Sequence, residues 1–395
     1  MRCRDLLFVT LSALALAGHA RAQDTPCGGE FAAFVDGLES EAVASGHDPD
    51  TVRRFLAGVR LDPKVLQSDR GQGIFQTPFI EFSRKLISQN RLDRGRAMSE
   101  QWDEVFDRIE TDFGIARGVL LAFWAFETDY GSFQGDFNTA NALVTLAHDC
   151  RRPDIFRPQI FSAMTLYERG DFDPATTTGA WAGEIGMVQM LPKDILENGM
   201  DGDGDGHVKL KTSVPDALMS GARMLSGLGW RPGEPWLQEV VLPPDLDWSM
   251  TGLETTLTVA EWERLGVRAR EGALDDGRFE ASIIIPQGRG GPSFIAYPNF
   301  RIYFDWNQSF VYVMTAAYFA TRLDGAPVYD AGSPDPGLSG AQMQDLQRRL
   351  SDLGYDVGGV DGILGAGTRA AVRDMQSKLG LPSDGWPTRD LLDKL

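Results

Sequence analysis

The sequence predicts a mainly α fold with a small β portion, followed by a second, smaller helical unit. Three observations carry this reading. Apolar residues between positions 31 and 200 recur mostly at helical spacing, strand-like runs are short and come late in the chain, and a stretch rich in Pro, Gly and Asp sets residues 338–395 apart. With 395 residues, 43% hydrophobic and 24% charged, the chain has the composition of a folded protein and the length for two or three domains.

Taken in order, the first residues read as a secretory signal. Arg2 and Arg4 precede the apolar run "LLFVTLSALALAG", and "ARA" ends at Ala22, where small residues suit cleavage, so residues 1–22 are removed and the mature chain starts near Gln23. The run is shorter than the roughly 18 to 20 apolar residues that span a bilayer, and no later segment qualifies, which makes a membrane helix the weaker alternative. "LAGH" stands where a lipoprotein would carry cysteine. An exported, soluble chain is therefore expected. Loss of Arg2, Arg4, Arg21 and Asp5 moves the formal charge from -18 to -20, which argues against nucleic acid and anionic lipid as partners. With Cys3 removed, Cys27 and Cys150 remain; in an oxidising compartment such a pair reads as a disulfide, the alternative being two buried thiols.

Helices are expected over "FAAFVDGLESEAVASG" (31–46), "WDEVFDRIETDFG" (102–114) and "RPQIFSAMTLYERG" (157–170), each ending at glycine. "ASIIIP" (281–286) and "FRIYFDW" (300–306) read as strands of a small sheet. "SFVYVMTAAYFATRL" is a last helix closing the large domain near Leu323, and "DGAPVYDAGSPDPG" reads as a linker with little to bury. Beyond it, two amphipathic helices flank a glycine-rich turn, one carrying Met343, Leu346, Leu350 and Leu353, the other Ala371, Val372, Met375 and Leu379. No basic stripe accompanies them, so a small binding module fits better than a DNA-binding unit.

One acid is out of place. In "LLAFWAFETDYG", Glu127 continues the apolar stripe of Val119, Leu120 and Phe123 at about 100° per residue, whereas Asp129 lies about 200° further round. Desolvation on that face favours the neutral carboxyl and raises its pKa, as general-acid catalysis requires. The alternative is a structural acid, paired with Arg151 or Arg152 or bonded to a helix terminus. No second acid stands out beside it.

Several stretches resemble the lytic transglycosylase B family of bacterial peptidoglycan-cleaving enzymes: "FWAFETDYG", "GAWAGEIGMVQMLP" (179–192), "DGDGDGHVKL" and "YPNFRIYFDWNQS" (297–309), in that order. The resemblance implies a lysozyme-like, α-rich catalytic domain with a small β portion over residues 23–325, a linker over 326–337, and a periplasmic location. It implies that Glu127 is the single catalytic acid. Most glycoside hydrolases need a second carboxylate, but in this family the same residue protonates the bond between MurNAc and GlcNAc and then deprotonates the MurNAc 6-hydroxyl, closing a 1,6-anhydro ring. Gln189 matches a sugar-contacting glutamine, the alternative being a loop-structuring role. Trp306 and Tyr312 match cleft aromatics, the alternative being core fillers, and Asn307 is a polar contact. Ala180 departs from the pattern, standing where some relatives have serine near the acid.

In the Asp-Gly loop, Asp201, Asp203, Asp205 and Gly206 match the start of an EF-hand-like calcium loop, but position 12 is Thr212 rather than glutamate. Some members of the family bind calcium there, with a last ligand from further along; Asp216 is the nearest candidate, and His207 would offer its backbone carbonyl. The alternative is an Asx-turn loop without metal. Residues 338–395 resemble a small helical peptidoglycan-binding domain through Leu346, Gln347, Leu350, Gly354, Tyr355, Asp361, Gly362, Gly365, Thr368, Ala371 and Gln376, most of them fold positions. The expected partner is the peptidoglycan glycan strand, the expected state a monomer, and no cofactor is required for the chemistry. A hydrolytic muramidase and a non-catalytic wall-binding scaffold are the alternatives.

Overall fold

The computed structural model describes residues 25–71 and 76–395; the expected signal segment lies outside the described residues. The fold is organised around α7 (Arg117–Thr128), whose residues Gly118 to Ala125 are all buried. A helix apolar on every side has to sit at the centre of its neighbours. It packs chiefly against α14 (Phe310–Leu323), and also against α5 (Gln89–Gln101), α6 (Asp103–Phe113) and α11 (Val214–Gly227). Gly118 makes the close approach to α14 possible, since a Cβ there would lie 2.7 Å from the Ala320 carbonyl oxygen.

Around this centre stand α1 (Phe31–Ala44), α2 (Pro49–Leu56), α3 (Pro63–Arg70), α4 (Phe79–Leu86), α8 (Thr139–His148), α9 (Pro153–Arg169) and α10 (Pro192–Asn198). Asp-Pro pairs start α2 and α3, with the Asp48 and Asp62 carboxylates accepting backbone N–H groups of the first turn and proline at the first helical position. A two-stranded ribbon, β1 (Phe137–Asn138) with β2 (Thr178–Gly179), ties the chain after α7 to the 179–192 segment, Phe137 opposite Gly179.

An antiparallel five-stranded sheet has the order β4-β6-β7-β3-β5. Its strands are β3 (Leu237–Val241), β4 (Leu257–Thr258), β5 (Arg268–Ala269), β6 (Glu280–Ile284) and β7 (Phe294–Ala296), with α12 (Val259–Arg264) between β4 and β5. Ile284 and Phe294 face the helical core, whereas Ile283 and Ile295 face a second core with Val259 and Trp262. Burial on both faces explains the unbroken apolar run "SIII".

The other expected strand is a helix. "FRIYFDW" lies in α13 (Pro298–Trp306), where Pro298 occupies the first turn and Phe300 and Tyr303 are buried. Its aromatic richness mimics a strand, but the buried positions follow a three-residue step and the proline suits a helix start.

The C-terminal unit holds three helices, α15 (Gly340–Asp352), α16 (Ala366–Lys378) and the unexpected α17 (Arg389–Lys394), around Met343, Leu346, Leu350, Val372, Leu391 and Leu392. Leu353 and Leu379 do not belong to that core: each follows its helix as C-cap and is 59% and 37% exposed respectively. The stretch before α15 has no helix or strand, yet it buries Tyr329 against Phe79, Phe294 and Tyr318, with its hydroxyl 2.8 Å from Ser83 Oγ. No helix among the described residues is long and apolar enough to cross a membrane.

Cys27 and Cys150 are bonded, closing a sequence separation of 123 residues and holding the chain before α1 on the end of α8. Replacing both by alanine is expected to lower stability by about 2 to 4 kcal/mol; thermal unfolding of the oxidised parent and the double variant measures it, and equal midpoints would rule out a stabilising bond.

Candidate active site

Glu127 sits in the last turn of α7, and the segment that follows bends sharply: Asp129 and Tyr130 both adopt left-handed backbone, with φ of 49° and 57°. The half-buried carboxyl is held by two donors on one oxygen. Trp306 Nε1 donates to Oε1 at 2.8 Å and the Tyr312 hydroxyl donates to the same atom at 2.7 Å. Neither Arg151 nor Arg152 reaches it, because both pair with the buried Asp69. Asp129 turns away to Arg91 and Arg94, at 3.1 and 2.6 Å. Among the described residues no cation pairs with Glu127.

Its electrostatics follow from that. Burial pushes the carboxyl above the usual carboxylate range, while the hydrogen bonds from Tyr312 and Trp306 oppose the shift. Tyr312 is itself pushed far up, first by burial and then by the neighbouring Glu127, so it donates as a neutral phenol. Trp306 is fixed by stacking on Phe123, with ring centroids 4.1 Å apart, and Phe123 stacks in turn on Tyr303 at 4.9 Å. The two donors come from α13 and α14, and the turn between those helices carries Asn307. Asn307 Oδ1 accepts the Ser309 N–H at 2.9 Å, a turn-forming contact.

The segment 179–192 closes the other side. Thr128 Oγ1 donates to the Met187 carbonyl at 2.7 Å, drawing this segment against the residue next to Glu127. Gln189 follows in left-handed backbone, φ 51°, a conformation costly for a side chain of its size. Its Nε2 donates to the Gly186 carbonyl at 2.7 Å, so part of the amide shapes its own loop. The Ala180 N–H donates to the Glu184 carbonyl at 2.9 Å. Glu184 is the acid that the sequence reading missed. Burial pushes its carboxyl up to about 7, the charge of Glu127 adds to the rise, and its Oε2 has no hydrogen-bond partner among the described residues. Its signal was an acid between two signature glycines, "GEIG", with no helical stripe to mark it as buried.

In the Asp-Gly loop, carboxylate oxygens of Asp201, Asp203 and Asp205 lie within 4.8 Å of one another and are exposed. Three hard oxygen donors so placed fit a calcium-sized cation. Asp216 is not among them: it is fully buried, accepting the N–H groups of Gly202 at 2.8 Å and Lys209 at 2.7 Å. The His207 ring goes to Asp171, 2.8 Å away.

The sequence model of the Transglycosylase SLT domain matches residues 30–321. The chain belongs to this family. A peptidoglycan binding domain matches residues 339–395. Among curated relatives of this SLT-domain chain is membrane-bound lytic murein transglycosylase B of Escherichia coli (strain K12), 23% identical over 241 residues. That match spans 60% of this chain and 64% of the relative, less than two thirds of its length. Among solved structures, SltB3 from Pseudomonas aeruginosa in complex with NAG-anhNAM-pentapeptide is 34% identical, covers 93% of this chain and 99% of its own, and superposes with a TM-score of 0.85. Escherichia coli SLT35 in complex with calcium is 22% identical, covers 77% of this chain and 97% of its own, and shares the fold with a TM-score of 0.64.

Within the SLT-domain core, removing one donor from Glu127 tests the electrostatics directly. Both donors favour the ionised carboxyl, so in Tyr312→Phe it should titrate at higher pH than in the parent chain. Carbon NMR of labelled glutamate reads the midpoint, and an unchanged or lower value contradicts the hydrogen bond.

Proposed function

We propose that this chain is a lytic transglycosylase that cleaves the β-1,4 bond between MurNAc and GlcNAc in peptidoglycan and leaves 1,6-anhydroMurNAc ends. The observation that carries the reading is the single acid Glu127, desolvated and held through one oxygen by two neutral donors. Oε2 is the oxygen left for substrate. In the neutral form Glu127 gives its proton to the glycosidic oxygen as the bond to the MurNAc anomeric carbon breaks, with the substrate's N-acetyl group assisting at that carbon. Trp306 and Tyr312 stabilise the carboxylate so formed, which then takes the proton of the MurNAc 6-hydroxyl as that oxygen bonds to the anomeric carbon. The proton returns to Glu127 and no water is consumed. The balance of burial against two donors suits both halves, because it holds the pKa high enough to give a proton and stabilises the anion that follows.

Gln189, Trp306 and Asn307 are assigned to the sugar-facing side, the first supported by its strained backbone beside Thr128. SltB3, with 34% identity over 93% of this chain, has been solved with NAG-anhNAM-pentapeptide, which supports an anhydro product. We place the catalytic domain at 23–325, the linker at 326–337 and a wall-binding domain at 338–395 that raises the local concentration of the enzyme on its polymer. The chain is read as exported through a signal cleaved after residue 22 and as working in the periplasm as a monomer.

Digestion of purified sacculi followed by mass spectrometry decides the reaction. Anhydro-muropeptides are expected; reducing ends alone would mean a hydrolytic muramidase. Glu127→Gln should abolish release, and release at the parent rate would overturn the acid assignment.

The Asp201–Asp205 loop is read as a structural calcium site, supported by the three convergent carboxylates and by the calcium complex of SLT35. Calcium at a hundredfold excess over its Kd would then stabilise the fold by about 2.7 kcal/mol. Titration calorimetry and thermal unfolding with calcium chloride should show binding that is lost in Asp203→Asn; no heat and no thermal shift would exclude the metal.

A further inference from the structure

The C-terminal unit is docked on the catalytic core, and one contact lies against the helix that carries Tyr312. The guanidinium of Arg369, in α16, stacks over the ring of Phe310, the first residue of α14, 4.3 Å from its centroid. Its Nη2 donates to the Pro286 carbonyl at 2.8 Å. No carboxylate pairs with Arg369 among the described residues, its Nε is buried without a partner, and burial pushes its pKa down to about 9, with Arg373 adding to the fall and Asp384 opposing it. Elsewhere the unit is fastened by ordinary polar contacts. Arg373 pairs with Glu254 at 3.0 Å and Gln76 donates to the Asp361 carbonyl at 2.9 Å.

The position of Arg369 is electrostatically unfavourable. A cation at a helix N-terminus faces the positive end of the dipole, and a buried cation without an anion costs more than an exposed one. If docking were its whole purpose, a paired cation such as Arg373 with Glu254 would serve better. What the contact does is fix the end of α14, which has no side-chain cap. Ser309, the N-cap of α14, makes no capping hydrogen bond, and its buried hydroxyl has no partner among the described residues. A cavity of about 130 Å³ beside it, lined by Thr77, Phe79, Phe310, Met343, Arg369 and Trp386, leaves this end loosely packed. Phe310 also packs near Phe304 of α13, with centroids 6.4 Å apart, so its ring touches both helices that deliver donors to Glu127.

We propose that Arg369 is a positioning residue for catalysis: by clamping Phe310 it sets the α13–α14 turn, and through that turn the Trp306 and Tyr312 donors on Glu127. The C-terminal unit is on this view part of the catalytic assembly as well as its wall anchor. The inference rests on the transglycosylase reading, and the test separates the two, since failure of the parent enzyme to release anhydro products would overturn that reading alone.

The experiment uses the full chain on soluble, uncross-linked glycan strands, where wall anchoring is irrelevant, with pull-down on sacculi measured in parallel. Arg369→Ala is expected to lower kcat about tenfold with KM and sacculus binding nearly unchanged, a displaced donor pair being felt at the reacting atoms. Phe310→Leu should lower kcat similarly, and the double variant should be no slower than either single one, because both act through one contact. Arg369→Lys, which keeps a cation over the ring, should recover part of the rate, whereas Arg373→Ala should keep parental kcat. Parental kcat in Arg369→Ala, losses that multiply in the double variant, or an equal loss in Arg373→Ala would each overturn the proposal. Should Arg369→Ala not fold, Arg369→Lys paired with Phe310→Leu completes the same cycle.

Discussion

Everything near the active site serves one constraint, a carboxyl taken out of water and held by a single oxygen. Burial alone would leave Glu127 protonated, able to give a proton but reluctant to remain an anion afterwards. Two strong ion pairs would do the reverse. Tyr312 and Trp306 lie between these limits: as neutral donors to Oε1 they stabilise the anion without supplying a counter-charge. Such tuning is geometric, so it demands that rings on two other helices be placed to within a fraction of an ångström.

That demand accounts for much of the architecture. α7 is apolar on every side because its far end must be enclosed, and α14 runs beside it at the distance Gly118 permits. Phe123, one turn before Glu127, is the surface on which Trp306 stacks. Thr128, one residue after, binds the backbone of the Gln189 segment. Acid, indole support and signature loop are thus all specified within six residues of one helix.

The sequence was most legible where local rules and tertiary roles agree. The α-rich core, the last long helix and the buried position of Glu127 follow from periodicity, and Trp306 and Tyr312, named from the motifs, meet at its carboxyl. It was least legible where tertiary context overrides local pattern. "FRIYFDW" has the composition of a strand, but its aromatics are required on a helix to reach Glu127 and Phe123. The stretch after Leu323 has the composition of a free linker, yet buried Tyr329 and backbone contacts to Glu239, Arg270 and Gly290 pin it to the core. Asp216 is the nearest acid beyond the Asp-Gly loop, but backbone N–H groups of the loop bond to its carboxylate. In each case the deciding contact lies tens of residues away or in the backbone, where no side-chain pattern records it.

Glu184 bears on why one acid suffices. The charge on Glu127 adds to the rise at Glu184, so the second carboxyl ionises less readily while the first is charged. Burial pushes Glu184 up to about 7 and encloses its Oε2 without a partner among the described residues, whereas a nucleophilic or water-activating carboxylate works as a solvated anion. On the proposed reading one acid gives and reclaims the proton, and an enclosed second carboxyl fits that better than the exposed, ionised partner that an inverting or retaining hydrolase would need.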